Sequence, residues 1–133
     1  MNYLLDTNIC IYIIKRKPRS VIDQLNQITF DQISISAITV AELEYGARKS
    51  SLPEKNHAAL NEFLGPFLIL NFDYAATIEY GIIRNDLEQK GIPIGSLDML
   101  IAAHAKSQNL TLVTNNAKEF NRVDGLKIEN WVK

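Results

Sequence analysis

The stretch that decides the fold is NYLLDTNICIYIIK, residues 2–15, in which a short apolar run leads directly into a helix-type pattern. Asn2–Leu5 predicts a buried strand, and Thr7–Lys15 predicts a helix that ends before Lys17-Pro18. Short apolar strands without polar alternation are typical of parallel sheets that are covered on both faces. The stretch therefore predicts the first strand-and-helix unit of an α/β fold.

The same alternation of strands and helices continues along the chain without a linker or repeat, which predicts one domain over residues 1–133. Further strands are predicted at Ile33–Ile35, Phe67–Leu70, Leu110–Val113 and Leu126–Ile128. Further helices are predicted at Arg19–Ile28, from a Ser36 cap to Ser50, Pro53–Leu64, from an Asp73 cap to Gln89, Leu97–Ser107 and Asn116–Phe120. This order indicates a mostly parallel sheet with helices on both faces.

Composition and charge narrow the classes of function. The formal net charge of −1 excludes a basic coat over the whole surface, so a nucleic-acid site has to be a local patch. Two groups of cations are candidates for it, although solvated helix ends would explain them equally well: Lys15, Arg16, Lys17 and Arg19, then Arg48 and Lys49. The single cysteine, Cys10, excludes an internal disulfide and is expected to pack in the core. No signal-peptide pattern or membrane-length apolar run is present, which predicts a cytoplasmic protein without membrane contact.

Several acids lie where carboxylates are costly. Asp6 follows the first strand directly, and Glu42 and Asp98 lie among apolar neighbours. Thr114-Asn115-Asn116 follows the fourth strand, and the carboxyl ends of parallel strands meet at one edge of a sheet. Unpaired carboxylates brought together repel each other, and a shared Mg²⁺ or Mn²⁺ removes that penalty. The pattern therefore predicts a metal-dependent site that attacks phosphodiester bonds with water.

Each acid also has an ordinary structural explanation. Asp6 can cap the first helix, and Asp98 can stabilise the first turn of its own helix. Glu42 is favoured over Glu44 as a site residue because Glu44 precedes Arg48 by four residues, the spacing of a surface ion pair. Ser96 is expected to cap the helix that carries Asp98, and His104 is expected to be a satisfied core histidine.

Four ordered motifs resemble those of the PIN-domain ribonucleases, and among them the VapC toxins of bacterial toxin–antitoxin pairs. The motifs are LLDTN at residues 4–8, ITVAEL at 38–43, PIGSLDMLIAAHA at 93–105 and TNNAKEF at 114–120. The resemblance covers essentially the whole chain. It implies a three-layer α/β/α sandwich with a mostly parallel sheet of about five strands.

The resemblance also implies a Mg²⁺-dependent endoribonuclease, with Mn²⁺ as a substitute, that leaves a 5′-phosphate and a 3′-hydroxyl. The implied metal ligands are Asp6, Glu42 and Asp98, which together with Glu119 form the expected catalytic set. The expected substrate-binding residues are Asn8, Thr114 and Asn116. Many relatives have Asp where this chain has Asn116, which puts a second metal in doubt.

The expected partners follow from the same resemblance. They are an RNA substrate, with tRNA expected, and a VapB-type antitoxin whose segment blocks the acidic site. The toxin is expected to form a homodimer, and a heterotetramer or larger assembly with the antitoxin. The RNA, the cleaved position, the number of metals and the antitoxin are not identified by the sequence.

Two other classes of α/β protein lack residues that they need in this chain. A phosphoacceptor receiver domain needs a phosphorylatable Asp after the third strand and a Lys after the fifth. Here the third strand is followed by Asn71-Phe72-Asp73, and no suitable Lys follows the fifth. A haloacid-dehalogenase-type phosphatase needs Asp-x-Asp, whereas this chain has Asp6-Thr7-Asn8. A catalytically inactive PIN-like scaffold that binds RNA or a protein partner stays open as the alternative.

Overall fold

The computed structural model describes residues 2–133, and within them five strands form one fully parallel sheet. The strands run over β1 Tyr3–Leu5, β2 Ile33–Ser36, β3 Leu68–Leu70, β4 Thr111–Val113 and β5 Ile128–Glu129. Their order across the sheet is β3-β2-β1-β4-β5, so β1 lies at the centre. The order reverses beside β1, which in sheets of this kind places the ligand site at the carboxyl ends of the central strands.

Seven α-helices in residues 2–133 connect and cover these strands. They run over α1 Thr7–Lys15, α2 Arg19–Leu25, α3 Ala37–Arg48, α4 Pro53–Leu64, α5 Tyr74–Gln89, α6 Ser96–Ser107 and α7 Ala117–Phe120. Within this part of the chain, no helix has both the length and the apolar character that crossing a lipid bilayer requires.

Alternate residues of the central strands face two separate cores. Leu4 and Leu112 pack with buried residues of α5 and α6 on one face of the sheet. Leu5 and Val113 pack with residues of α1 and with Trp131 on the other face. Because side chains alternate along a strand, an unbroken apolar run fills both cores at once. The prediction of a three-layer α/β/α sandwich is confirmed.

Several element boundaries differ from the predicted ones, most of them by one or two residues. The second helix ends at Leu25 rather than Ile28, and a 3₁₀ turn that was not predicted covers Phe30–Gln32. The last strand is Ile128–Glu129 rather than Leu126–Ile128. Leu126 still belongs to the preceding turn, in which its N–H donates to the carbonyl of Val123, so pairing with β4 begins later.

The start of α6 also differs from the prediction. Gly95, not Ser96, is the N-cap residue, and no side chain caps the helix there. The carbonyl of Gly95 accepts the first helical hydrogen bond, from the N–H of Met99 at 2.9 Å, so Ser96 is already inside the helix. Asp98 nevertheless lies in the first turn, as predicted.

Candidate active site

Asp6 and Thr114 lie side by side at the carboxyl edge of the sheet. They directly follow Leu5 and Val113, which are paired neighbours on β1 and β4. The hydroxyl of Thr114 donates to Oδ2 of Asp6 at 2.7 Å, and the backbone N–H of Thr7 donates to Oδ1 at 2.7 Å. Asp6 therefore caps α1 as predicted, and each of its oxygens already accepts a hydrogen bond.

Burial disfavours the ionised form of the Asp6 carboxyl group. The residue is only 4% exposed. Burial raises its pKa, the hydrogen bonds from Thr114 and Thr7 oppose that rise, and the charge of Glu42 adds to it. The two hydrogen bonds fix the direction of the carboxylate, and they leave its charge without a cation.

Thr114 is a supporting residue for Asp6 in this structure. Its side chain is fully buried, and its oxygen donates to Asp6 and accepts from the N–H of Asn116 at 2.9 Å. This oxygen is therefore engaged on both sides and faces away from solvent. These contacts hold Asp6 and Asn116 in place, and the expected part of Thr114 in binding substrate stays a prediction.

Glu42 reaches the same edge from α3. Its Oε1 accepts a hydrogen bond from the hydroxyl of Thr7 at 2.8 Å, which ties α3 to the start of α1. No role was predicted for Thr7 from the sequence, although its position directly after Asp6 was a signal that it could contact the acids of the site. Glu44, by contrast, lies away from this cluster and accepts from Nδ1 of His57 at 2.7 Å. The predicted ion pair between Glu44 and Arg48 is therefore wrong, since the partner comes from α4 and not from the same helix.

Asp98 has a strongly raised pKa. The pKa of its half-buried carboxyl is raised to about 6, first by burial and then by the charges of Asp6, Glu119 and Glu42. Within residues 2–133, no hydrogen bond or ion pair to its carboxylate is formed by another side chain. The four acids therefore act on one another electrostatically from four different elements of the fold.

Glu119 and Asn116 complete the polar rim. Nδ2 of Asn116 donates to Oε2 of Glu119 at 3.1 Å, so the amide orients the acid one turn along α7. Asn8 lies exposed in the first turn of α1, directly beyond Asp6 and Thr7. The amide of Asn8 is therefore accessible to a substrate that approaches this edge.

Two residues outside the cluster are structural. Cys10 is fully buried and its pKa is raised by that burial, as expected of a core thiol. His104 is also buried, and its Nδ1 lies 2.7 Å from the hydroxyl of Ser36. Its Nε2 has no hydrogen-bond partner among the described residues, so His104 is a core histidine that is satisfied on one side only.

The acidic cluster fits a hydrated divalent cation. None of the ion pairs within residues 2–133 involves Asp6, Glu42, Asp98 or Glu119, so this negative charge is not balanced by the protein. In the same range, no three Asp, Glu, His or Cys side chains are close enough together to hold an ion by themselves. Mg²⁺ keeps several of its waters and binds proteins through one or two carboxylates. The unbalanced charge and the absence of a three-residue group therefore both fit a hydrated ion.

A groove opens from the acidic cluster between α1, α3 and α4. Its volume is about 340 Å³, and its acidic end is formed by Thr7 and Glu42. The rest of its wall is mostly apolar and ends at Lys15: Ile11, Ile14, Leu43, Gly46, Ala47, Asn56, Ala59 and Leu60. The acidic cluster therefore adjoins a groove with a largely apolar wall.

Comparison with known proteins agrees with this architecture. The chain matches the PIN domain family over residues 3–126. It is 48% identical to a ribonuclease VapC2 of Rickettsia felis over the full length of both chains. It is 45% identical to a tRNA(fMet)-specific endonuclease VapC of Shigella flexneri over 98% of each chain. The DNA-bound VapBC structure from Salmonella typhimurium superimposes with a TM-score of 0.94 at 44% identity, covering 99% of both chains.

Similarity at this level over the whole chain extends through all the motifs that carry the acidic cluster. The relatives are nucleases, and the four acids with their unbalanced charge are the kind of site that such hydrolysis needs. The chain belongs to the PIN-domain family, within the VapC ribonucleases.

Proposed function

We propose that this protein is the toxin of a VapBC-type pair and a Mg²⁺-dependent endoribonuclease that cleaves tRNA. The observation that carries the proposal is the convergence of Asp6, Glu42, Asp98 and Glu119 without a balancing cation among the described residues. Burial first, and then the charges of the other three acids, raise the pKa of Asp98 to about 6. The 45% identical relative named for tRNA(fMet) makes initiator tRNA the first substrate to test. A cytoplasmic location, as predicted from the sequence, goes with that substrate.

The residues of the chain have distinct parts in this reaction. Asp6 and Asp98 would be the principal ligands of a hydrated ion, directly or through its waters, and Glu42 would help to hold the ion or orient a coordinated water. The ion, when bound, would polarise the phosphate and lower the pKa of a coordinated water. Thr114 and the N–H of Thr7 keep the Asp6 carboxylate in one orientation, so it does not have to reorganise during the reaction. Glu119, oriented by Asn116, is available to accept a proton from the attacking water. Asn8 is placed to hydrogen-bond the RNA beside the cleaved bond.

The direct test is cleavage of purified initiator tRNA by the wild-type protein, by Asp98→Asn and by the control Glu54→Gln. Glu54 is the matched control because it also lies in the first turn of a helix, α4, but is exposed and outside the cluster. We expect wild type and Glu54→Gln to cut only when Mg²⁺ or Mn²⁺ is present, leaving 5′-phosphate ends, and Asp98→Asn to be inactive. Cleavage that persists in EDTA would contradict the metal dependence. Absence of both cleavage and Mg²⁺ binding would favour the inactive scaffold.

The antitoxin is proposed to lie in the groove between α1, α3 and α4. An apolar segment matches the wall of the groove, and a cationic side chain of the antitoxin would pair with Glu42 at its acidic end. Gly46 lines this groove, and a Cβ added there meets no atom within 4 Å. Gly46→Phe should therefore weaken inhibition by the antitoxin and preserve tRNA cleavage. Full inhibition of this variant would argue against the groove.

Homodimerisation, with a heterotetramer or larger assembly in the presence of antitoxin, is part of the same proposal. An exposed apolar stripe on α5 supports it, since Tyr74, Ile78 and Ile82 follow one another at four-residue spacing. Sedimentation of the wild type and of Ile78→Lys measures this. We expect a dimer that becomes a monomer in the variant, and a monomeric wild type would refute it.

A further inference from the structure

Tyr45 and Lys49 form an exposed pair on α3, directly beyond Glu42. Tyr45 is 66% exposed, and Nζ of Lys49 lies 4.9 Å from the centre of the tyrosine ring. Residues three and seven positions apart share one face of a helix. The pair therefore extends the face that carries Glu42 away from the acidic cluster.

Packing does not explain this tyrosine. Among the described residues, Lys49 is the only one whose charge or ring stacks on Tyr45, and the tyrosine hydroxyl forms no hydrogen bond there. Lys49 lies over the ring, and most of the tyrosine stays exposed to solvent. Large aromatic rings stabilise a fold most when they are buried. An exposed ring beside the acidic cluster is therefore available to bind another molecule.

The surroundings of the pair are basic. Arg48 is the neighbour of Lys49, and Lys15 lines the same groove as Glu42 and Gly46. The ends of α1 and α3 therefore flank one groove. Within residues 2–133, none of the cations at these two helix ends takes part in an ion pair: Lys15, Arg16, Lys17, Arg48 and Lys49. The chain as a whole has a net charge of −1, so this is a local positive patch beside a local negative one.

We propose that Tyr45 and Lys49 form a stacking site for an unpaired RNA base next to the cleaved bond. The inference rests on the proposed nuclease function and adds a residue-level binding site to it. Proteins recognise RNA loops by stacking splayed bases on aromatic rings, and neighbouring lysines hold the phosphates. Tyr45 lies three residues, about 4.5 Å along the helix axis, from Glu42, so a base stacked on its ring would lie close to the acidic cluster.

The experiment measures binding of an RNA hairpin whose loop carries 2-aminopurine next to the cleaved bond. Binding is measured in the Asp98→Asn background, which keeps the RNA intact, with and without Tyr45→Ala or Tyr45→Phe. The matched control is Phe30→Ala, because Phe30 is also an exposed aromatic residue but lies in the 3₁₀ turn before β2. Cleavage by the otherwise wild-type protein is followed in parallel, so that failure of the nuclease function is seen separately.

We expect Tyr45→Ala to raise Kd by about 5- to 100-fold, the range of a lost base–aromatic stack, and to remove the change in 2-aminopurine fluorescence. Tyr45→Phe should keep both, and Phe30→Ala should change neither. Lys49→Gln should reduce the dependence of log Kd on log salt by about 0.7, the contribution of one phosphate contact.

Unchanged Kd and fluorescence in Tyr45→Ala, with cleavage by the wild type intact, would overturn the stacking site alone. A change in the sedimentation of Tyr45→Ala with unchanged RNA binding would also overturn it, since Tyr45 would then belong to a protein interface. If the wild type cleaves no RNA, the proposed function fails and the stacking site fails with it.

Discussion

Replacing Asp98 with asparagine is expected to stabilise the metal-free protein at pH 7 while it abolishes nuclease activity. The pKa of Asp98 is about 6 in the folded protein, against 3.8 for an ordinary aspartate. The folded protein therefore holds this proton more tightly than the unfolded chain does. Stability is consequently lost as the pH rises from about 4 through 6, and at pH 7 the ionised carboxylate is a net cost.

The size of the gain follows from the structure. A rise of about two pKa units corresponds to ~3 kcal/mol at pH 7, and solvent screening of a half-buried group reduces this to about 1–2 kcal/mol. Loss of the favourable charge in the first turn of α6 subtracts ~0.3–1 kcal/mol. We expect a net gain of about 1 kcal/mol, or roughly 2–5 °C in Tm for a domain of this size.

The assay is thermal unfolding in EDTA, followed by circular dichroism at pH 5 and pH 7. The advantage of Asp98→Asn should fall to about half at pH 5, where the wild-type carboxyl is mostly protonated. Glu54→Gln removes a first-turn acid without relieving any repulsion, and should lose ~0.3–1 kcal/mol at both pH values. Added Mg²⁺ should raise the Tm of the wild type and not that of Asp98→Asn. If Asp98→Asn melts lower than the wild type at pH 7, as Glu54→Gln does, the argument from charge repulsion is refuted.

Three further predictions concern the site and its supports. Thr114→Val leaves Asp6 and the N–H of Asn116 without their shared partner, and should cost about 2–4 kcal/mol of unfolding free energy in denaturant titrations, whereas Thr114→Ser should be nearly neutral. Mg²⁺-dependent cleavage should increase between pH 5 and 7, because protons compete with the ion at Asp98; a rate independent of pH would speak against Asp98 as a ligand. Cys10 should resist thiol reagents in the native protein and react in denaturant, and rapid native labelling would contradict its burial.

Much of the fold was predictable because each local signal agreed with the others. The apolar run at residues 3–5, the Asp6 cap and the helix that follows are all encoded within a dozen positions. The start of α6 was less predictable, since Gly95 and Ser96 both suit a cap and only the hydrogen bond to Gly95 decides between them. The last strand moved by two residues because its register depends on β4, which is distant in sequence.

The acids that converge at this edge were picked out from the sequence, whereas the residues that support them were not. Asp6, Glu42 and Asp98 stood out because charges among apolar neighbours are conspicuous in any sequence. The contact of Thr7 with Glu42, the engagement of Thr114 with Asp6 and the pairing of Glu44 with His57 join residues from different elements. For Glu44, the four-residue spacing predicted the wrong partner, Arg48.

The sequence by itself determined the order of strands and helices, the mostly parallel arrangement of the sheet and the acids that stand among apolar neighbours. These depend on hydrophobic periodicity, caps and the cost of burying charge, which are properties of short segments. Only the tertiary structure decided how strongly those acids perturb one another, which hydroxyls hold them, and that Tyr45 stays open to solvent beside Glu42. These depend on distances across the sheet and on burial, because electrostatic interaction and desolvation act through space and not along the chain.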